Sequence, residues 1–296
     1  MKINRTVFYT VVKRLIIRII RVYYRLLFIC SKNYAIRSLF KLFTSPKFQK
    51  IRDREKALLH QIENKIEIDD LVISYHQSRR EAGPYVLLLH GWEGNAGSMG
   101  AFVNPLIEEG YKVIAPNAPA HYTSSGIQCT IRDYQRTIMA LIQKFNIRII
   151  ISHSFGSAAA ILAAREVDRQ QIQQIVTISA PNKLKDVVSN FTRLIKLTPS
   201  QEQSFFEFVE QKLNLPFKEA ELSKILSELN VPALIIHDQN DQLVSVENAH
   251  RVAQAHDNTT LYITKGQGHY RILWNEEILE TSIKFLQGEL ENQTYQ

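Results

Sequence analysis

The chain has 296 residues, 45% of them apolar, so it can bury one large globular core and keep an additional segment. Its two cysteines, Cys30 and Cys129, lie far apart without metal-ligand spacing, which predicts neither a disulfide framework nor a zinc site and indicates a reducing, cytoplasmic location. Residues 1–50 hold 12 of the 36 Lys and Arg and no acid, so the net charge of +7 becomes −5 for the rest of the chain. This acidic body argues against nucleic acid as a partner.

Basic residues recur at helical spacing in the apolar leader. Between residues 7 and 30, Arg14, Arg18, Arg21 and Arg25 fall on one side of a predicted amphipathic helix, and isoleucines, leucines and tyrosines cover much of the remainder. A bilayer span would place two arginines near its middle, at about 2.5–3.5 kcal/mol each. A secretory signal is also excluded, because no small-residue cleavage site follows.

Two interpretations of this helix remain open. In the first it lies in the interface of an anionic membrane, where each basic residue contributes about 1 kcal/mol, and residues 7–32 make the protein a peripheral membrane protein. In the second it docks on its own domain or on a second subunit. Residues 1–64 are therefore predicted to form a basic helix and a charged connector that precede the main domain.

The body alternates strand and helix patterns from residue 65 onward. Predicted strands lie at 65–76 (two strands around Asp69-Asp70), 85–90, 112–116, 147–151, 174–180, 232–238 and 259–264. Predicted helices lie near 98–109, at 130–145, from 158 onward, at 245–255 and at 275–286. This alternation predicts an α/β fold in which residues 65–181 and 232–287 form a mostly parallel sheet with helices on both faces. Residues 288–296 read as a polar tail.

Between residues 182 and 231 only helical stretches are predicted, at 184–197, 200–213 and 218–229. An all-helical insertion at this place predicts a lid over the strand ends. A lid of this kind implies an apolar pocket beneath it. Its phenylalanines are better explained as lid core than as contacts to an acyl chain; they are Phe205, Phe206, Phe208 and Phe217.

Ser152-His153-Ser154-Phe155-Gly156 follows the strand at 147–151 and precedes a helix rich in alanine. Strand, sharp turn and helix are the context of a G-x-S-x-G nucleophile turn, in which small residues are needed two positions either side of the serine. Gly156 fits this requirement, and Ser152 replaces the first glycine. The pattern predicts Ser154 as nucleophile and the Phe155 amide as an oxyanion donor.

His90-Gly91-Trp92 comes after another buried strand and precedes the serine turn in the chain. Gly91 lets the chain turn back, so that the amide of Trp92 faces Ser154 and completes an oxyanion hole. His90 is interpreted as a buried residue that braces this loop and not as a base. Glu93 has a structural and a pocket-shaping interpretation, of which we favour the structural one.

An acid and a histidine follow the last two predicted strands. Asp241 lies in the loop beyond the strand at 232–238, whereas its rival Asp238 lies on the strand, so Asp241 is the preferred acid. His269, between a glycine pair and a helix, is preferred as base over His121 and His153. The carboxyl ends of parallel strands share one edge of the sheet, which is where ligands bind in open α/β sheets.

With these pieces in the order Ser, Asp, His, residues 65–287 resemble the α/β-hydrolase superfamily. His-Gly-Trp-Glu-Gly at 90–94 and Gly-Gln-Gly-His-Tyr-Arg-Ile-Leu at 266–273 are more narrowly similar to a group of bacterial α/β-hydrolases of unassigned substrate. The resemblance implies Ser154 as nucleophile, His269 as base and Asp241 as its orienter. It also implies the oxyanion donors, the amides of Trp92 and Phe155. Two loops depart from the family pattern, because Ser152-His-Ser-Phe-Gly-Ser157 and Asn117-Ala-Pro-Ala-His-Tyr122 replace glycine-richer sequences and crowd the site.

The resulting hypothesis is a serine esterase or lipase-like hydrolase that acts on a small acyl substrate with an apolar part, without metal or other cofactor. Lipid ester, thioester, small ester and amide substrates all remain open, as does transfer of the acyl group to an acceptor other than water. The alternative from a different class is a membrane-peripheral interaction protein with a degenerate, inactive hydrolase pocket.

Overall fold

The computed structural model describes residues 5–168, 170–290 and 294–295, with side chains from residue 15 to residue 290 apart from 169. The predicted tail at 288–296 therefore lies partly outside the described residues. The side chain of Arg14 lies wholly outside them. The chain forms two compact units. One contains the chain up to Ser45 together with Leu184–Phe217, and the other contains Pro46–Lys183 and the chain from Lys218 onward.

The helices are, in chain order, α1 (Arg5–Cys30), α2 (Lys32–Phe43), α3 (Asp53–Leu59), α4 (Val103–Glu108), α5 (Ile131–Phe145), α6 (Phe155–Glu166), α7 (Leu184–Ile195), α8 (Pro199–Leu213), α9 (Leu222–Leu229), α10 (Glu247–Ala255), α11 (Gly268–Arg271) and α12 (Glu276–Leu286). The strands are β1 (Asn64–Ile68), β2 (Leu71–Gln77), β3 (Tyr85–Leu89), β4 (Lys112–Pro116), β5 (Ile149–His153), β6 (Gln174–Ile178), β7 (Ala233–Asp238), β8 (Thr259–Thr264) and β9 (Thr294–Tyr295). Short 3₁₀ helices lie at Ala96–Phe102, Phe217–Glu219 and Ile272–Trp274.

All strands belong to one sheet of the second unit, in the order β1-β2-β4-β3-β5-β6-β7-β8-β9. β1 and β2 form an antiparallel hairpin across Asp69, which has φ 51°, and β2 pairs antiparallel with β4. Every further pairing is parallel. The predicted fold class, a mostly parallel sheet with helices, is confirmed.

The central strands are apolar because both of their faces are covered. On one face Leu88, Ile151 and Ile236 pack with Phe102 and Ile278 in the main core cluster. On the other face α5 and α6 pack together against the sheet, and the alanines of α6 let it approach closely. The carboxyl ends of β3, β5, β7 and β8 carry the predicted site residues.

The segment predicted as a charged connector is part of the sheet-containing unit. Glu55 in α3 is fully buried, accepts hydrogen bonds from the amide and the guanidinium of Arg52 at 2.9 and 2.8 Å, and accepts a third from Asn95 at 3.1 Å. Gly97 lies so close that a Cβ there would be 2.5 Å from the Glu55 carbonyl oxygen. The sequence pattern did not reveal this packing, because it is a long-range contact of a charged residue.

The first unit consists of α1, α2, α7 and α8. Phe43 of α2 packs on Phe191 of α7 and Phe205 of α8, with ring centroids 5.0 and 6.2 Å apart. Phe205 is fully buried, in agreement with its interpretation as core. The unit limits fall at 45/46, 183/184 and 217/218, whereas the predicted domain limits were 64/65, 181/182 and 231/232.

Among the described residues, no helix is both long and apolar enough to cross a bilayer.

Candidate active site

The predicted nucleophile lies on a strained turn between β5 and α6. Ser154 has φ 50° and ψ −116°, a conformation that costs a non-glycine residue roughly 1–3 kcal/mol. Its amide donates to the carbonyl of Ile178 at 2.9 Å, which fixes the turn to β6. A Cβ at Gly156 would lie 2.5 Å from the His90 carbonyl oxygen, so only glycine fits there.

Serines occupy two further positions of this turn where small residues are required. Ser152 is fully buried, and its hydroxyl donates to the Val176 carbonyl of β6 at 3.1 Å. The hydroxyl of Ser157 is buried and has no hydrogen-bond partner in the part of the chain that the structure describes. The turn therefore accommodates both serines, with Ser157 the less satisfied of the two.

His269, at the start of α11, lies between the serine and the acid. Its Nε2 is 3.1 Å from Ser154 Oγ and accepts the hydroxyl proton. Its Nδ1 donates to Asp241 Oδ2 at 2.7 Å. The structure thus brings Ser154, His269 and Asp241 into one hydrogen-bonded row, although they lie up to 115 residues apart.

Asp241 is held as an ionised acceptor. Its second oxygen accepts the amides of Leu243 and Val244 at 2.8 and 3.0 Å. Burial raises the pKa of this carboxyl, but the hydrogen bond and charge of His269 and the two amides outweigh burial and lower it to about 2. The imidazole of His269 is thereby kept with its proton on Nδ1, so Nε2 faces the serine as a base.

The rival acid Asp238 has a different set of partners. Its carboxylate accepts the Thr264 hydroxyl at 2.9 Å and the Gln267 amide at 2.8 Å. It also accepts the Asn240 amide at 2.9 Å. Asp238 thus connects the loop that carries Asp241 to the loop that carries His269. Its described hydrogen bonds do not include one to the imidazole of His269.

The register of the sheet brings the predicted oxyanion loop beside the serine. Leu89 of β3 pairs with Ser152 of β5, so the residues that follow the two strands are neighbours. A Cβ at Gly91 would lie 3.1 Å from Ser154 Cβ, and the rings of Trp92 and Phe155 are in edge contact with centroids 5.3 Å apart. Neither the Trp92 nor the Phe155 amide donates to an acceptor among the described residues. Two free amides next to a serine can bind an oxyanion.

Two buried histidines brace this loop, as expected for His90. His90 Nδ1 donates to the Gly91 carbonyl at 2.7 Å, and its Nε2 accepts the Ala118 amide at 2.9 Å. Burial lowers its pKa to about 3, so it stays neutral. His121 accepts the amide of Glu93 at 3.1 Å and so holds the next residue of the loop.

Glu93 fastens the segment that enters the second unit. Its Oε1 accepts the amides of Lys47 and Phe48, both at 2.9 Å, and its backbone has φ 56°. These bonds favour the structural interpretation of Glu93. A small cleft of about 110 Å³ lies between this segment, the Gly91-Trp92 loop and Tyr270.

His153 and His237 are two buried histidines near the site, and the sequence did not identify a role for His237. His153 Nε2 donates to the His269 carbonyl at 2.9 Å, so its ring contacts the backbone of the base. His237 lies beside the acid, with Nε2 3.6 Å from Asp241 Oδ2. The sequence contained one indication of His237, which is a histidine near the end of an otherwise apolar strand.

Comparison with known proteins identifies the fold. A family model described as the alpha/beta hydrolase fold matches residues 84–218, and no curated protein matches significantly. The structure is similar to Est1E from Butyrivibrio proteoclasticus, solved with ferulic acid bound (17% identity, TM-score 0.59, 76% of this chain and 99% of that one). It is similar to an esterase from Exiguobacterium antarcticum (20%, 0.58, 75% and 98%) and to a serine hydrolase from Cycloclasticus zankles (14%, 0.58, 77% and 98%). The chain has the α/β-hydrolase fold.

Proposed function

We propose that the protein is a serine hydrolase that cleaves a carboxylic ester or thioester through an acyl-enzyme, in peripheral contact with a membrane. The observation that carries the proposal is the row Ser154 Oγ, His269 and Asp241, with separations of 3.1 and 2.7 Å. Structural neighbours that include an esterase and a serine hydrolase support it at the level of the fold.

In this mechanism Ser154 Oγ attacks the carbonyl carbon while its proton passes to Nε2 of His269. The tetrahedral oxyanion accepts hydrogen bonds from the amides of Trp92 and Phe155, each of which contributes about 2.7–4 kcal/mol in comparable sites. The bond to the leaving group then breaks, and His269 donates the proton to the departing oxygen or sulfur. Asp241 stays ionised and stabilises the imidazolium.

Deacylation repeats these steps with water. His269 removes a proton from a water molecule, whose oxygen attacks the acyl carbon bound to Ser154. The second tetrahedral intermediate uses the same two amides, and its collapse returns the proton from His269 to Ser154 Oγ. The products are a carboxylic acid and the free serine.

A fluorophosphonate probe tests the nucleophile directly, because it phosphonylates activated serines. We expect labelling of the wild type and loss of labelling in Ser154→Ala. The matched control is Ser157→Ala, three residues further along in α6, which removes a buried hydroxyl without a described partner. A folded wild-type protein that never labels would contradict the proposal.

A second candidate function is an interaction protein with an inactive pocket. It is favoured by the serines at 152 and 157, which stand near the nucleophile where the α/β-hydrolase pattern has glycines. A panel of p-nitrophenyl esters graded by acyl-chain length separates the two. Turnover that depends on Ser154 supports the hydrolase and ranks its acyl groups. A folded protein that turns over no member of the panel and does not label supports the interaction protein.

The peripheral membrane location is supported by charge, since residues 1–50 contain twelve Lys and Arg and no acid. An anionic lipid surface is the partner that such a leader favours.

A further inference from the structure

From Leu15 onward, the described side chains of α1 pack on their own unit along one side of the helix. Tyr24 is 4% exposed, and its hydroxyl is 3.2 Å from Ser38 Oγ of α2. Arg21 Nε donates to the Leu194 carbonyl at the end of α7, at 2.9 Å. The docked interpretation of the leader is therefore realised for this side of the helix.

The opposite side of α1 presents an apolar stripe to solvent. Its members are 42% to 77% exposed: Leu15, Ile16, Ile19, Val22, Tyr23, Leu26 and Ile29. At about 100° per residue these seven side chains fall within an arc of about 140°. Seven large apolar side chains in one continuous row are unusual on a protein surface that meets only water.

Basic side chains border this stripe. Arg18 and Arg25 are exposed, lie at one edge of the arc beside Ile29, and have no ion pair with a residue that the structure describes. On α2, Tyr34 is 60% exposed and lies on one helix face with the exposed Arg37 and Lys41. Apolar stripe and cationic edge together are the features of a helix that lies in the interface of an anionic bilayer.

A second copy of the chain fits the stripe less well. In an antiparallel symmetric dimer Arg18 and Arg25 of both copies lie on the same side of the interface, and in a parallel one they face the apolar edge of the partner helix at Ile16 and Tyr23. Residues 1–50 contain no acid that could pair with these guanidinium groups. Anionic lipid headgroups supply the missing counter-charge.

The inserted helices belong to the same compact unit as α1. Phe208 of α8 is in edge contact with Phe40 of α2, with centroids 5.6 Å apart, and Phe205 and Phe191 pack on Phe43. Lys183 and Glu221, which flank the insertion in the chain and belong to the other unit, form an ion pair at 3.0 Å. Anything that binds α1 therefore also binds the unit that contains the segment inserted between β6 and β7.

We propose that α1, α2, α7 and α8 form one membrane-docking unit, in which the stripe from Leu15 to Ile29 inserts into the interface of an anionic bilayer and Arg18 and Arg25 contact its headgroups. The substrate is then an ester with a long acyl chain that is presented by that bilayer. The substrate part rests on the proposed hydrolase function, whereas the docking part does not.

Vesicle flotation of the full chain tests docking. The vesicles consist either of phosphatidylcholine alone or of two thirds phosphatidylcholine and one third phosphatidylglycerol. We expect wild type to float with the anionic vesicles and Arg18→Gln/Arg25→Gln to bind them about 30-fold more weakly. Ile19→Gln/Leu26→Gln is expected to bind at least about tenfold more weakly. The matched control, Ile127→Gln, changes an isoleucine that is 73% exposed in the other unit and should float as wild type.

Activity and mass measurements complete the experiment. The stripe variants should hydrolyse a soluble short-chain ester at the wild-type rate and a long-chain ester in anionic vesicles at least about tenfold more slowly. Wild type that does not float, or stripe variants that float equally well, would overturn the docking surface. So would a wild-type dimer that Ile19→Gln/Leu26→Gln converts to a monomer by light scattering. Loss of soluble-ester hydrolysis in Ser154→Ala alone reports on the hydrolase and is independent of flotation.

Discussion

His237 holds the loop that carries Asp241. Its Nε2 donates to the carbonyl of Val244 at 2.9 Å, and the amide of Val244 donates to Asp241 Oδ1 at 3.0 Å. Burial lowers the pKa of His237, so the ring is neutral and donates from Nε2 alone. The loop is thus fixed without a charged side chain that would compete with His269 for the carboxylate.

His237→Leu should lower kcat about 10- to 100-fold with little change in KM, because the freed Val244 carbonyl lets Asp241 shift relative to His269. His237→Gln keeps a donor of similar reach and should restore part of the rate. Steady-state kinetics on a soluble p-nitrophenyl ester measure both variants. A wild-type kcat in His237→Leu would show that the loop holds its geometry without this bond.

Asp241→Asn and Asp238→Asn should separate chemistry from loop anchoring. In Asp241→Asn the amide oxygen can still accept the hydrogen bond from His269 Nδ1. The variant loses the negative charge that stabilises the imidazolium, so we expect kcat to fall about 10³- to 10⁴-fold. Asp238→Asn weakens bonds to Thr264 and the Gln267 amide, and should mainly lower the free energy of unfolding, by about 1–3 kcal/mol. Kinetics and urea unfolding of both proteins distinguish these outcomes, and the reverse pattern would make Asp238 the acid.

The lowered pKa of Asp241 predicts an acid-dependent loss of stability. Because its pKa is about 2 in the folded protein and near 3.8 ordinarily, the folded state binds fewer protons than the unfolded chain in this interval. The contribution of Asp241, about 2 kcal/mol, is complete above pH 4–5 and is lost as the pH falls toward 2.

Urea unfolding between pH 5 and pH 2 measures this contribution. The free energy of unfolding of wild type should fall more steeply than that of Asp241→Asn, and the two proteins should converge at the acid end. The other carboxylates are common to both proteins and cancel in the comparison. Parallel curves would contradict the assigned pKa.

Gly91→Ala should impair activity more than its size suggests. A Cβ at position 91 would lie 2.8 Å from Nδ1 of His153 and 3.1 Å from Cβ of Ser154, so the loop must move away from the nucleophile. We expect kcat to fall about 100-fold and stability to fall by about 1–3 kcal/mol. Gly100→Ala is the control, since its nearest atom would be 3.6 Å away, and it should keep the wild-type kcat.

The sequence by itself determined the order of most strands and helices between residues 65 and 286, the hairpin at Asp69 and the strand-turn-helix at Ser154. These features are local, since hydrophobic periodicity and the small residues of a turn act within a few positions of the chain. The sequence also showed that Asp241 and His269 follow predicted strands. Because parallel strands end at one edge of a sheet, both residues could be expected near Ser154.

Only the tertiary structure decided which groups meet. The burial of Glu55, the anchoring of the segment at Lys47 and Phe48 by Glu93, and the role of His237 depend on contacts between distant parts of the chain. The amphipathic pattern of α1 likewise left two partners open. Periodicity reports that a helix has an apolar face, but only packing reveals that the Tyr24 side is covered and the Ile19 side is exposed.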